Sequence, residues 1–484
     1  MKRSGVLLHI SSLSSDFGIG DLGPGAINFA GWLADRGFKI WQLLPLNHRG
    51  YGNSPYNPIS AFALDPLLVS PERLYEDGLI EADELENARL PISDRVLYEQ
   101  VIRTKGRLLE IAAANYLGKR DVSAFMAEND RWIKPYIAFL TLDRLYGDCH
   151  WSSWQPQHRT YSDKLWNELL RSFEASMLSH AAVQAILRSQ LLDLRSALLD
   201  LEIELWGDLP IYLSYHSAEV WAHPELFLLD SKGRRLEMAG VPPDAFSEDG
   251  QLWGNPIYRW DEKKAEVLDL FESRAADALR YLDRLRLDHF IGYVNYWSVP
   301  CPLSGHDREP IVPADARSGA WIKAPGEQLF ERLTQRFTAY PFIAEDLGIL
   351  TEEVCRVRDR FGFPGMIVLQ FCWQDPDPRI QNYPSDRVIY TGTHDNLTTR
   401  QWFEELDPEG AEYRNFLDFV KTRLGWSGIP TALNASTLMM DIAQASGCGI
   451  CVFPMQDILG LGANARMNIP GTPLGNWEWR MIEN

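Results

Sequence analysis

The chain has 484 residues, of which 45% are hydrophobic and 23% are charged, so it is long enough to bury a sizeable core. Its 66 Asp and Glu residues outnumber its 47 Lys and Arg residues, and the formal net charge is −19. An acidic surface disfavours nucleic acid and anionic membranes as partners, because phosphate binding requires a basic face. Six cysteines in so long a chain do not form a disulfide framework, and no segment approaches the ~20 apolar residues of a membrane helix, so we expect a cytoplasmic protein.

Short apolar runs that end in polar or turn residues recur along the chain, and most are followed by an amphipathic helical segment. This alternation predicts a parallel sheet covered by helices. Eight such units favour an α/β fold of the (β/α)8 TIM-barrel class, with residues 1–484 as a single catalytic barrel and no separate C-terminal β-domain. The predicted strands are VLLHISSL (6–13), KIWQLLPL (39–46), IELWGDLPIYL (203–213), LRLDHF (285–290), PFIAEDLG (341–348), MIVLQF (366–371), RVIYTGTHD (387–395) and GICVFPMQDI (449–458).

The interval between the second and third predicted strands is far longer than the single helix that a barrel needs there. Helical periodicity covers much of it, at 96–117, 132–146 and 181–201. We therefore expect a mostly helical subdomain inserted over residues 65–200. Shorter insertions rich in Pro and Gly are expected at the barrel rim over 214–260, which includes the acceptor-side loop, and over 298–325. Long loops that follow strands are where such barrels build active sites.

The run RLRLDHF places two charges in a segment that otherwise has the pattern of a buried strand. Strand alternation puts Arg286 and Asp288 on one side, facing inward near the C-terminal end of the fourth predicted strand. A guanidinium beside a carboxylate favours the ionised form, which keeps the carboxylate available as a nucleophile. A buried salt bridge without a catalytic role is the alternative.

Acidic residues also end three other predicted strands at the same rim. Glu345 closes PFIAEDLG, Asp395 closes RVIYTGTHD, and Asp208 lies in LWGDLPIYL. Carboxyl groups gathered in this way favour cleavage of an acetal, in which one group protonates the leaving oxygen and another attacks carbon. Asp and Glu also bind Ca²⁺ or Mg²⁺, but Arg286 disfavours a cation there, and we predict no metal site. For Asp208, a role in a turn or a helix cap is an equally good explanation.

The segment VPPDAFSEDGQLWGNPIYRW (241–260) combines prolines and glycines with four aromatic residues. A surface loop has little reason to expose Phe246, Trp253 and Tyr258 together unless they bury against something. The loop is either a lid that packs on the helical insertion or a rim that binds sugars. Core packing and stacking on the apolar face of a pyranose are likewise both open explanations for the 17 Trp, 18 Tyr and 21 Phe of the chain.

Together these motifs resemble the 4-α-glucanotransferases called amylomaltases or disproportionating enzymes, which form glycoside hydrolase family 77 in the α-amylase clan. The resemblance covers essentially the whole chain and rests on long, specific motifs: SGVLLHISSL, GYGNSPYNPISAFALDP, GDLPIYL, SAEVWAHPELF, GVPPDAFSEDGQLWGNPIY, RLDHF, IAEDLG, GTHDN and LGANARMNIPGTPLGNWEWR. It implies a retaining (β/α)8 enzyme of starch or glycogen metabolism that acts on α-1,4-glucans and maltooligosaccharides and requires no cofactor.

The resemblance also implies roles for individual residues. Asp288 would be the nucleophile that forms a covalent glucosyl enzyme, Glu345 the general acid and then base, and Asp395 the residue that holds the hydroxyls of the distorted sugar. The implied substrate contacts are Arg286, His394, Tyr56 and Asp208 in the donor pocket, Asp244, Phe246 and Trp253 in the loop over the acceptor side, and Tyr51 as a secondary glucan contact. One position departs from the family: HSAEVW begins with His216 where members read roughly DSADVW, which puts substrate contacts or loop stability there in doubt.

The implied mechanism is a double displacement in which two inversions return the α configuration. It predicts a raised pKa for Glu345, a low pKa for Asp288 supported by Arg286, and about 5–5.5 Å between the carboxyl groups of Asp288 and Glu345. Two alternatives remain: an amylase-like hydrolase, if water rather than a sugar reaches the intermediate, and a glucan-binding scaffold that has lost catalysis. The complete carboxylate trio favours an enzyme, and the family resemblance favours transfer.

Overall fold

Eight parallel strands form one sheet that closes on itself. The computed structural model describes residues 2–147, 149–243, 248–304, 309–472 and 474–482. The strands are β1 (Arg3–Leu7), β2 (Ile40–Gln42), β3 (Glu204–Leu209), β4 (Arg284–Leu287), β5 (Phe342–Ala344), β6 (Met366–Val368), β7 (Val388–Tyr390) and β8 (Ile450–Pro454). Their spatial order is β5-β4-β3-β2-β1-β8-β7-β6, and a parallel bridge between Ala344 and Gly365 joins the two edges. The predicted TIM-barrel class is confirmed.

Every predicted strand is present, but each ends earlier than its apolar run. Four of the runs continue into short helical segments, at Ile10–Ser12, Phe290–Val294, Leu369–Gln374 and Met455–Ile458. Apolar composition alone does not mark the last hydrogen bond of a ladder, because loops over a barrel rim are also partly buried. Asp288, Glu345 and Asp395 therefore stand in loops just beyond β4, β5 and β7, whereas Asp208 lies within β3.

Helices cover the outside of the barrel and fill the long interval between β2 and β3. The α-helices of the described residues are Pro24–Asp35, Pro71–Glu76, Ala82–Asn87, Tyr98–Lys119, Ser123–Glu128, Ile133–Tyr146, Asp163–Asp200, Ala218–Ala222, Trp260–Ala278, Phe290–Val294, Gly326–Arg336, Glu352–Arg360, Thr399–Glu405, Ala411–Arg423, Ala432–Ala445 and Met455–Ile458. The helix predicted over 181–201 starts earlier, because Ser162 caps its first turn by accepting a hydrogen bond from the backbone N–H of Leu165 (3.2 Å). The division of 65–200 into an inserted subdomain stays a prediction.

The apolar core is continuous between the barrel and the helices of that interval. Leu187 and Leu191 of the long helix belong to the same buried cluster as Leu205 of β3 and Leu285 of β4. Core packing explains most of the tryptophans, since only a few are exposed. The buried ones are Trp41, Trp132, Trp151, Trp154, Trp166, Trp206, Trp221, Trp260, Trp373, Trp402, Trp477 and Trp479, and the exposed ones are Trp253, Trp321 and Trp426.

A second, antiparallel sheet of four strands stands at the rim. Its strands in spatial order are Ala320–Lys323, Asn295–Pro300, Glu237–Val241 and Gln251–Pro256. A two-stranded ribbon, Leu303–Ser304 with Glu309–Pro310, lies nearby in the chain. These elements fall largely in the segments expected as rim insertions, 214–260 and 298–325, whose boundaries stay predictions.

All six cysteines are free thiols, and Cys448 and Cys451, three positions apart, are both buried. Across the described ranges no group of three or more His, Cys, Asp or Glu side chains could hold a metal ion. No helix in that part of the chain has the length and apolar composition to cross a bilayer.

Candidate active site

Arg286 is the centre of a charged cluster at the carboxyl-terminal end of the barrel. It lies in β4 and is 6% exposed. Its Nε and Nη2 donate to Oδ2 of Asp208 on the adjacent β3, at 3.0 and 2.7 Å, and Nη2 also donates to Oδ1 of Asp288 at 2.8 Å. The contact between Arg286 and Asp288 that strand alternation predicted is confirmed. One guanidinium thus serves two carboxylates.

Tyr56 reaches this cluster from a hairpin-like loop between β2 and the helices. Bridges between Asn47 and Leu64 and between Arg49 and Pro58 hold the two arms of the loop together. The Tyr56 hydroxyl donates to Oδ2 of Asp208 at 2.6 Å. Its ring stacks on His394, with 5.1 Å between the ring centroids and 14° between the planes. Two predicted donor-pocket residues far apart in the chain, Tyr56 and His394, are therefore in contact.

Asp288 and Glu345 occupy equivalent positions on neighbouring strand ends. They follow Leu287 and Ala344, which are register partners between β4 and β5, and neighbouring strands lie about 4.8 Å apart. The backbone N–H of His289 donates to Oε2 of Glu345 at 2.7 Å. His289 has a left-handed backbone (φ 51°, ψ 57°), which is uncommon for a residue other than glycine. That turn directs its N–H toward Glu345 and keeps the two acidic residues side by side.

The pKa of both carboxyl groups is raised. Burial raises the pKa of Glu345 well above its ordinary value, while the charge of Arg286 opposes the rise and the nearby charge of Asp288 adds to it. Burial also raises the pKa of Asp288, while Arg286 opposes the rise. The predicted low pKa of Asp288 is therefore wrong. The reason is that Arg286 divides its charge between Asp288 and the more deeply buried Asp208, so it does not offset the desolvation of both.

Asp395 is the most exposed member of the predicted trio. It contacts Asn468 of the C-terminal segment and its chain neighbour His394. Asn468 Nδ2 donates to its Oδ1 at 2.6 Å, and His394 Nε2 lies 3.3 Å from its Oδ2. Desolvation acts upward on the pKa of Asp395, but His394 and the Asn468 hydrogen bond more than offset it, so the pKa is lowered. Trp477 packs on His394, with 5.9 Å between centroids. Asn468 and Trp477 were not singled out from the sequence, although both lie in the quoted LGANARMNIPGTPLGNWEWR motif.

The loop predicted over the acceptor side divides into a buried part and an exposed part. Tyr258 is buried and donates to the carbonyl of Ile211 at 2.8 Å, so it belongs to the core. Trp253 is 38% exposed and meets the edge of His289, with 4.8 Å between ring centroids. It therefore stands beside the Asp288–His289 turn. Asp244 and Phe246, the other two residues predicted for this loop, lie outside the described residues.

Two of the positions that the sequence singled out lie away from the carboxylates. Tyr51 is 80% exposed, and its carbonyl accepts a hydrogen bond from Asn57 Nδ2 at 3.2 Å. His216, the departure from the family pattern, lies 2.7 Å from Asp143 Oδ1 through Nε2 and accepts from the backbone N–H of Trp151 at 3.4 Å. His216 thus fastens the segment after β3 to the helical interval.

Buried carboxylates that sequence reasoning missed hold two of the loops that carry site residues. Glu219 accepts hydrogen bonds from Ser60 Oγ (2.7 Å) and from the backbone N–H of Ala61 (3.0 Å), close to Tyr56 in the chain. Asp457 accepts from the N–H and hydroxyl of Thr399, both at 2.7 Å, and from the Thr391 hydroxyl. The two threonines flank the His394 and Asp395 loop at its two ends.

Comparison with known proteins identifies the family of this chain. A family model described as 4-alpha-glucanotransferase matches residues 8–484. A 4-alpha-glucanotransferase of Thermus thermophilus is 39% identical over 99% of this chain and 94% of its own length, and one of Synechocystis is 38% identical over 99% and 93%. The solved amylomaltase of Streptococcus agalactiae, in complex with acarbose, has a TM-score of 0.90 and 32% identity, covering 99% of this chain and 95% of that one. A Corynebacterium glutamicum amylomaltase, 17% identical with a TM-score of 0.79, shares the fold.

Proposed function

The chain belongs to the 4-alpha-glucanotransferase family, and we propose that it moves α-1,4-glucan segments from a donor to the 4-hydroxyl of glucose or a maltooligosaccharide by a retaining double displacement. The family assigns the enzyme class. The observation that carries the mechanism is the position of Asp288 and Glu345, one residue beyond register partners on adjacent strands. A strand spacing of about 4.8 Å suits the ~5–5.5 Å carboxyl separation of retaining enzymes better than the ~6.5–9.5 Å of inverting ones.

In the first step, Glu345 acts as the acid and Asp288 as the nucleophile. Glu345 gives its proton to the glycosidic oxygen while a carboxylate oxygen of Asp288 attacks the anomeric carbon, so the C–O bond to the leaving sugar breaks as the ester forms. The pKa directions support this division, because burial raises the pKa of Glu345 well above its ordinary value. The charge of Arg286 opposes the rise at both groups, and at Asp288 the guanidinium also donates a hydrogen bond. A raised pKa suits the group that carries a proton to the leaving oxygen.

In the second step, an acceptor sugar replaces the leaving group. Glu345, now ionised, takes the proton of the acceptor 4-hydroxyl, the new C–O bond forms, and the ester to Asp288 breaks. Each step inverts the anomeric carbon, so the product keeps the α configuration. Trp253 stands beside the Asp288–His289 turn and offers an exposed ring to the acceptor.

The remaining residues bind and orient the donor sugar. Asp395, with its lowered pKa, stays ionised and accepts hydrogen bonds from the sugar hydroxyls. The Tyr56 ring is backed by His394 and provides a flat surface for a pyranose. Asp208 sits below them, where it holds both Arg286 and the Tyr56 hydroxyl. No step requires a cofactor, and a cytoplasmic location stays a prediction.

Incubation with maltotriose tests the proposal. Transfer gives glucose together with a ladder of longer maltooligosaccharides, which chromatography resolves, whereas a hydrolase gives shorter products alone. The α configuration of the new linkages, read by proton NMR at early times, tests retention. Shortening products without a ladder would assign an amylase-like hydrolase, and an initial β-anomeric product would exclude the double displacement.

A further inference from the structure

Asp346 directly follows Glu345 but points to the opposite side of the strand end. Successive side chains alternate along an extended segment, so the residue next to one that faces the barrel interior faces the surrounding helices. Asp346 is 5% exposed, which is unusual for a carboxylate unless it is paired. The proposed mechanism gives it no role.

Both oxygens of the buried Asp346 carboxylate accept hydrogen bonds, one from β6 and one from a helix. Its Oδ1 accepts the backbone N–H of Met366, the first residue of β6, at 2.7 Å. Its Oδ2 accepts from Nη1 of Arg358 on the helix Glu352–Arg360. Gly365 makes room for it, because a Cβ at that position would lie 2.5 Å from Oδ2 and 2.8 Å from Oδ1 of Asp346.

These contacts lie where the barrel closes, between β5 and β6. Every other pair of neighbouring barrel strands shares at least three register positions. Between β5 and β6 there is one bridge, Ala344 with Gly365, in which the N–H of Ala344 donates to the carbonyl of Pro364 at 2.8 Å. Asp346 Oδ1 accepts the hydrogen bond from the N–H of Met366, at the position where a backbone carbonyl would otherwise continue the ladder. Glu345 stands at the least bonded junction of the barrel.

We propose that Asp346, held by Arg358, is a positioning residue for Glu345 that fixes the direction in which the acid presents its proton. Glu345 is fastened on one side through its N–H to the carbonyl of Leu287 (3.1 Å) and through its Oε2 to the N–H of His289 (2.7 Å). Asp346 fastens the other side to β6. The inference rests on the proposed function, because it assigns a residue that acts through the proposed acid.

The test separates positioning of the acid from a general loss of structure by using a substrate pair that bypasses Glu345. Maltotriose needs the acid to protonate its leaving oxygen. α-Glucosyl fluoride with azide does not, because fluoride leaves unprotonated as the ester to Asp288 forms, and azide breaks that ester without a base. The product is α-glucosyl azide.

For Asp346→Ala we expect kcat on maltotriose to fall by about 100-fold, the low end of the acid–base range, with KM changed by less than threefold. With α-glucosyl fluoride and azide, the same variant should keep a rate within about fivefold of the wild type, and Glu345→Gln should show the same contrast between substrates. Equal losses of activity on both substrate pairs would show that Asp346 has only a structural role. An unchanged rate on maltotriose would show that it has no role in the reaction.

Asp359→Ala is the matched control, because Asp359 also pairs with Arg358 (Nη2 to Oδ1, 2.7 Å) but is exposed and does not reach β6. It should behave like the wild type on both substrates. Gly365→Ala is a second variant, which leaves every charge in place but displaces the Asp346 carboxylate. Like Asp346→Ala, it should lower activity on maltotriose and keep activity on α-glucosyl fluoride with azide. If Asp346→Ala does not fold, Gly365→Ala and Asp346→Asn decide the question by the same contrast.

A failure of this inference can be told from a failure of the proposed function. If the wild type makes no maltooligosaccharide ladder from maltotriose, the proposed function fails whatever the variants do. If the wild type makes the ladder and Asp346→Ala loses activity equally on both substrate pairs, only the inference about Asp346 fails.

Discussion

The carboxylates that face the barrel interior differ from those that face outward at the same strand ends. Asp288 and Asp395 keep 25% and 47% of their side-chain surface exposed, and Arg286 is shared between Asp288 and Asp208. Asp346, which contacts the helix Glu352–Arg360, and Asp457, in the short helix after β8, form the outer set. Both are almost fully buried and accept hydrogen bonds from N–H and O–H donors or from Arg358. In the outer set each carboxylate oxygen accepts a hydrogen bond from within the protein, whereas the inner set keeps exposed carboxylate surface for a substrate.

Burial raises the pKa of Glu345 on the inner side and of Asp457 on the outer side, but the consequence differs. The pKa of Asp457 rises because of desolvation, while hydrogen bonds from Thr391 and Thr399 oppose the rise. The pKa of Glu345 rises because of desolvation, to which the charge of Asp288 adds, while the charge of Arg286 and the single hydrogen bond from the N–H of His289 oppose the rise. A buried carboxylate satisfied by donors stabilises a loop, whereas one with few donors and a raised pKa is suited to transferring a proton.

The largest effect on activity is expected for Asp288→Asn on the inner side. The amide cannot form the ester, so kcat on maltotriose should fall on the order of 10⁴–10⁶-fold, as for other covalent catalysts that lose a central residue. Binding of maltooligosaccharides, measured by calorimetry, should persist. Asp269→Asn is the control, because Asp269 is an exposed carboxylate paired with Arg332. Turnover that survives the Asp288 change would remove it from the nucleophile's role.

On the outer side, Asp457→Ala should lower both stability and activity. It leaves the Thr399 N–H and two threonine hydroxyls without an acceptor, at a cost of about 1–3 kcal/mol for each buried group that stays unpaired. The melting temperature should fall, and kcat should fall by about 10–100-fold because the Asp395 loop shifts. Asp457→Asn keeps an acceptor and should be milder in both measurements. A lower kcat at an unchanged melting temperature would contradict a holding role.

A smaller effect is expected on stability for Glu345→Gln, and it depends on pH. A carboxyl whose pKa is raised on folding binds more protons when folded, so its contribution to the free energy of unfolding falls as pH rises from the unfolded pKa, about 4.3, toward the folded one. The Glu345→Gln variant has no carboxyl group at this position, so its free energy of unfolding does not fall with rising pH for this reason. Calorimetry should find its melting temperature a few degrees above that of the wild type near pH 8, converging near pH 4. A constant difference across pH would indicate repacking instead.

The smallest effect is expected for Tyr51→Ala, which touches neither set of carboxylates. The side chain is 80% exposed, so the melting temperature and the kcat on maltotriose should change by less than experimental error. If Tyr51 is a secondary glucan contact, the apparent affinity for long glucans such as amylose should fall while that for maltotriose does not. A loss of affinity for maltotriose or of kcat on it would instead indicate that Tyr51 belongs to the active site.

The barrel and its acidic rim were predictable because both depend on local signals. Apolar runs mark strands through burial, and their abrupt ends in Asp or Glu mark the rim, so the eight strands and the contact between Arg286 and Asp288 follow from patterns a few residues long. The strand ends were less predictable, because the apolar runs continue into partly buried loops. The family resemblance supplied the individual roles, which local patterns do not contain.

The sequence by itself determined the fold class, the acidic strand ends and the family. Only the tertiary structure decided how the charges are shared: that Arg286 serves Asp208 as well as Asp288, that Tyr56 stacks on His394, that Asn468 holds Asp395, and that Asp346 joins β5 to β6. The physical reason is that a pKa depends on burial and on every charge within a few ångströms. Packing brings those neighbours together from distant parts of the chain.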